Sequence, residues 1–84
     1  MTISEIWSIS AERIEAFFLT QSDVRSCGEG RFCRGLCEVR LCPLPQRRLG
    51  SFSFPQTQVE FEGPEEDVSA LHRRFVLQFI SAGG

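Results

Sequence analysis

Four cysteines are the residues best equipped for chemistry, and they are spaced Cys27-x5-Cys33-x3-Cys37-x4-Cys42. Structural zinc draws on knuckles of two cysteines separated by about two to four residues. Only Cys33 and Cys37 meet that spacing. On one extended strand such side chains stand roughly 13 Å apart, too far to share an ion. The pattern therefore predicts no metal site, and no cofactor is implied. Cys33 and Cys37 read as small buried hydrophobes, and all four cysteines as reduced thiols. Cys27, next to Gly28 and flanked by Arg25 and Arg31, has the setting of a reactive thiol. His72 is the only histidine, and no acid or nucleophile is identifiable to work with it. It reads as a structural residue at the edge of the core. Lysine is absent, which removes Schiff-base and P-loop chemistry. The expectation is a protein that is not an enzyme.

The chain closes on Gly83-Gly84. Glycine is enriched where a helix ends, because the position after the last turn often needs a positive φ. A terminal Gly-Gly also resembles the handle that ubiquitin-like sulfur carriers and modifiers present to their activating enzymes. That resemblance implies a carrier or modifier role acting through Gly83 and Gly84. Such carriers need an extended tail leaving a strand, on a β-grasp of order ββαββ. Here the tail follows a helical pattern, so the sequence favours a helix end.

The elements that would position these residues follow from periodicity. Thr2-Ile3-Ser4-Glu5 fits a capping box, and Ile3, Trp7, Ile14, Phe17 and Phe18 share a helical face. A second start for that helix, capped by Ser10, is equally compatible. Either version ends near Leu19 or Thr20. The segment "RFCRGLCEVRLC" alternates and reads as one strand, with Cys33, Cys37, Val39 and Leu41 inward. "PLPQRR" reads as a loop, since proline cannot donate to a ladder. The apolar parity switches between Phe52 and Phe54 on one side and Val59 and Phe61 on the other. A turn at Pro55-Gln56 between strands 49–54 and 57–62 would bring both pairs inward. The segment "GPEEDVSALHRRFVLQFISAGG" holds the clearest helix, with Pro64 first, acidic residues in its opening turn, and a stripe of Val68, Leu71, Phe75 and Phe79. The expected fold is a single α+β domain over residues 1–84. It has two layers in the order α-β-β-β-α, with two helices on one face of a three-stranded antiparallel meander.

Composition limits the partners. Nine arginines against eleven acidic residues give a net charge of −2, with no general attraction to nucleic acid or anionic lipid. The αβββα order resembles that of double-stranded-RNA-binding domains. Those domains open their second helix with basic residues, whereas this helix opens Pro64-Glu65-Glu66-Asp67, which repels phosphate. No apolar run is long enough to span a membrane, and the first ten residues lack a signal-peptide pattern, so a cytoplasmic protein is expected. With odd positions of the strand inward, Phe32 and Leu36 face outward, as do Leu77 and Ile80 on the last helix. That much exposed apolar surface favours docking to another protein or to a second copy. The expected contact residues are Phe32, Leu36, Leu77 and Ile80, with Arg73 and Arg74 at the rim.

Overall fold

The structure is a computed structural model that describes residues 1–82. Its elements run β1 (Thr2–Trp7), α1 (Ala11–Thr20), β2 (Arg25–Gly28), β3 (Arg31–Arg34), β4 (Cys37–Leu49), β5 (Phe52–Glu62) and α2 (Glu65–Ala82). The fold is α+β, with both helices packed on a sheet, as expected. The sheet has five strands rather than three, in the order β1-β5-β4-β3-β2, and every pairing is antiparallel. Among the described residues no helix is long and apolar enough to cross a membrane.

The first correction is at the N-terminus. Thr2–Glu5 is not a capping box but part of β1, which lies against β5 with Ile3 opposite Phe61 and Trp7 opposite Thr57. The helix takes the later start. Ser10 caps it, its hydroxyl accepting the amide of Arg13 at 3.4 Å. Ile3 and Trp7 fit a period of two as well as one of four, and pairing with β5 decides between them.

The second correction is in the cysteine segment. It holds two strands, split by a two-residue turn at Gly35-Leu36. Gly35 has φ +57 at the first central position, the place a type II′ hairpin turn reserves for glycine. The turn resets the parity, so Phe32 pairs with Val39 and both point inward. Cys33 points to the other side and is not in the core.

The third correction concerns the prolines. Pro43 and Pro45 lie within β4, and Pro55 within β5. A strand tolerates proline at an unpaired edge or a bulge. β3 pairs with β4 only through Arg40, and β1 pairs with β5 only from Thr57 onward. The register also shifts between Leu44 and Arg47, around Pro45. The real turn is Gly50-Ser51, with Gly50 at φ +60.

One core results. Ile14 and Phe18 of α1 and Val68, Leu71, Phe75 and Phe79 of α2 meet Phe32, Cys37, Val39, Val59 and Phe61 of the sheet. Phe18 sits at its centre, stacked on Phe32 at 5.5 Å and on Phe75 at 5.9 Å between ring centroids. Burying each of these aromatic side chains contributes about 1.5–3 kcal/mol. Among the described residues the opposite face of the sheet carries no helix.

Candidate docking surfaces

The expected contact residues part company in three dimensions. Phe32 is only 2% exposed and belongs to the core, which removes it from any docking surface. Leu36 is 78% exposed, at the tip of the β3–β4 turn. Leu77 and Ile80 are 56% and 62% exposed on α2. With exposed Arg73 they follow the i, i+4, i+7 spacing, so these three share one stripe on the solvent side of the helix. Arg74 is not a free rim charge. Its guanidinium donates to both carboxylate oxygens of Asp23, at 2.9 and 3.0 Å. Arg34 Nε donates to the same carboxylate at 2.7 Å, so Asp23 ties the loop after α1 to β3 and α2. These hydrogen bonds hold the Asp23 carboxyl well below its ordinary value of 3.8. Gly83 and Gly84 lie outside the described residues.

The cysteines fall into three environments. Cys27 and Cys33 form a disulfide between β2 and β3, with their Cα atoms 6.2 Å apart. Neither is therefore a free thiol, contrary to the reading of Cys27 as reactive and Cys33 as core. Cys37 is buried, and burial pushes its thiol pKa up, which makes it inert. Cys42 is exposed. The two disulfide sulfurs and a Glu38 oxygen lie within 4.8 Å of one another. The sulfurs are already bonded to each other, and Glu38 is held between Arg31 at 2.6 Å and Arg40 at 2.9 Å. The cluster is a disulfide beside an ion network, which Arg40 extends to Glu60 and Glu62 across the helix-free face.

His72 does find a partner that the sequence did not reveal. Its Nε2 lies 2.9 Å from Glu5 Oε1, which also accepts the Trp7 indole N–H at 3.1 Å. Burial works against the Glu5 charge, but the hydrogen bonds from His72 and Trp7 outweigh it and lower its pKa. Trp7 packs edge-on against Phe75 at 4.9 Å, and the His72 ring stands edge-on to Phe61 at 5.2 Å. The pair pins β1 to α2. It is part of the packing between sheet and helix.

Two further surfaces were hidden from sequence reasoning. Residues 43–56 form a two-stranded ribbon beyond the five-stranded part of the sheet. Leu49 and Phe52 face each other across it and are 52% and 69% exposed, and Phe52 stacks on Phe54 at 6.4 Å. Both phenylalanines were expected inward, on a turn at Pro55. With β5 unbroken, they take the opposite parity to Val59 and Phe61. The second surface is a cleft of about 400 Å³ lined by Ala11, Glu12 and Glu15 of α1, Glu29 and Gly30 of the β2–β3 turn, and Leu41 and Pro43 of β4. Exposed phenylalanines at alternate positions and three spaced glutamates were the only signals, and neither is informative before the strands are paired.

Residues 3–84 match the family described as Archaeal MoaD-like protein. No curated protein matches the chain.

Proposed function

The chain belongs to the archaeal MoaD-like family, and from that premise we propose that it is a small non-catalytic protein-binding module of a sulfur-carrier system. The observation that carries this reading is the stripe of Arg73, Leu77 and Ile80, two large apolar side chains more than half exposed beside an exposed arginine. An apolar centre with an arginine at its rim is the composition of a protein interface. The chain order βαββββα differs from the ββαββ order of a β-grasp, and every pairing in the sheet is antiparallel. A role as the carrier's partner therefore fits the fold better than a role as the carrier itself. The proposed compartment is the cytoplasm, and fractionation of native cells tests it.

The second reading is that this chain is itself the carrier, acting through Gly83-Gly84. The family match favours it because it extends to residue 84. One experiment separates the two: co-purification from native cells with the C-terminus free, alongside Leu77→Asp and a variant lacking Gly83-Gly84. The docking reading expects a stoichiometric protein partner that is lost in Leu77→Asp and kept without the glycines. Leu77 is exposed, so circular dichroism should show the variant folded. The carrier reading expects the reverse, together with one C-terminal oxygen replaced by sulfur in the intact mass. A Leu77→Asp chain that keeps its partner overturns the docking reading.

A further inference from the structure

The ribbon of residues 43–56 is built unlike the rest of the molecule. Neither β1 nor β3 pairs with it, so only β4 and β5 hold each other there. A two-stranded hairpin alone is at best marginally stable in water. This one nevertheless exposes Leu49, Phe52 and Phe54 together on one face. It also carries Arg47 and Arg48 and no acidic residue, whereas the remainder has seven arginines against eleven acidic residues. The arm is a basic, apolar projection from an acidic body.

The cleft offers the opposite surface. Glu12, Glu15 and Glu29 line it around an apolar floor of Ala11, Leu41 and Pro43. Among the described residues, none of these three carboxylates and neither Arg47 nor Arg48 takes part in an ion pair. Among the described residues no ion pair joins the arm to its own cleft. It departs from Pro43 at the rim, and seven residues of extended chain carry Gly50 roughly 20 Å away.

We propose that two copies of this chain exchange arms, each ribbon lying in the acidic cleft of the other. Arg47, placed by its pairing with Phe54 on the same face as Leu49, Phe52 and Phe54, meets Glu12, Glu15 and Glu29, and the three apolar side chains cover the floor formed by Ala11, Leu41 and Pro43, while Arg48 stands on the other face of the ribbon. Arm and cleft are adjacent on one molecule, so a twofold axis satisfies both contacts at once and closes the assembly at two. Complementary charge sets the register and the partner, and apolar contact supplies the affinity. The contact uses neither the Leu77 stripe nor the C-terminal glycines, so it stands or falls separately from the docking reading.

Sedimentation velocity on the intact chain, with two charge-reversed variants, tests the exchange. One variant is Arg47→Glu/Arg48→Glu, and the other is Glu15→Arg/Glu29→Arg. Glu12 is left in place because an acid in the first turn suits the dipole of α1. The wild type is expected to be a dimer whose dissociation constant rises with salt. Each variant alone should bind itself about tenfold more weakly or worse while its circular dichroism stays native. Mixed in equal amounts, the two should restore a 1:1 complex, because each arm again faces a cleft of opposite charge. A wild-type monomer at all accessible concentrations overturns the proposal. So does a dimer that ignores both reversals, or a pair of weakened variants that fail to rescue each other.

Discussion

Gly63 shows how much one residue can be required to do. Its φ of +151 is strained for a side chain, and a Cβ there would come within 2.6 Å of the Leu36 carbonyl oxygen and 3.0 Å of Cys37 Cα. Both obstacles are backbone, so neither can swing aside. The residue sits between β5 and α2 and also exchanges hydrogen bonds with Met1, its amide donating at 3.1 Å and its carbonyl accepting at 2.9 Å. The close approach lets the β3–β4 turn lie against the start of α2. Gly63→Ala should therefore destabilise by more than about 1 kcal/mol, the amount by which the same change stabilises where the backbone accepts it. Urea unfolding checks it, and the midpoint should fall with an unchanged slope. A midpoint within error of wild type would mean that the turn at Leu36 gives way freely. Gly35 and Gly50 make the contrast: both have positive φ, but nothing lies within 4 Å of an added Cβ. Their requirement is conformational alone.

Among the elements, β2 is thinly held. β2 is a four-residue edge strand, all exposed, and its register shifts between Ser26 and Gly28. Its side-chain staple is the Cys27–Cys33 disulfide, with a sequence separation of 6. Closing so short a loop is worth about 2 kcal/mol, and for a domain of this size that corresponds to a fall in Tm of roughly 10 °C on its loss. Cys27→Ser/Cys33→Ser should show that fall. Hydrogen exchange should quicken in residues 25–34 and stay slow in the β4–β5 ladder, since local opening follows local contacts. Equal protection in both proteins would mean that the backbone ladder and the Asp23 clamp suffice. Legibility differs between elements for related reasons. α2 could be read from its own residues, because an acidic first turn and a 3.6-residue stripe are local signals. β1 could not, because six residues are compatible with either period until β5 is beside them. β4 and β5 were cut at their prolines, because whether a proline breaks a strand depends on which edge lacks a neighbour. The disulfide was missed for the same reason. Six residues apart says nothing until a turn at Glu29-Gly30 folds Cys27 back onto Cys33.

At the scale of the whole molecule, the exposed apolar residues of α2 were legible and those of the sheet, Leu36 apart, were not. Leu77 and Ile80 project from α2 as its period requires. Phe32 changed sides because one turn reset the parity of its strand, and Phe52 and Phe54 changed sides because an assumed turn did not form. Arg74 was lost to Asp23, 51 residues away in sequence, a pairing no spacing rule reveals. That pairing also governs how the assembled molecule responds to acid. Asp23 joins the loop after α1 to β3 and α2, and hydrogen bonds from Arg74 and Arg34 lower its pKa from 3.8. Because the folded value is depressed, the native state binds fewer protons than the unfolded chain just below that pH. The clamp's contribution is thus complete above pH 3.8 and is lost as pH falls through the folded value. Glu38, lowered by hydrogen bonding to Arg31, and Glu5, lowered despite burial, act in the same direction from 4.5 downward. Thermal unfolding of wild type and Asp23→Asn across this range isolates the clamp. The wild type should be the more stable at neutral pH, by a margin that holds to about pH 4 and then narrows with further acidification. A margin that stays constant into strong acid would show that Asp23 shapes the loop through hydrogen bonding alone, with its charge contributing nothing to the joint between sheet and helix.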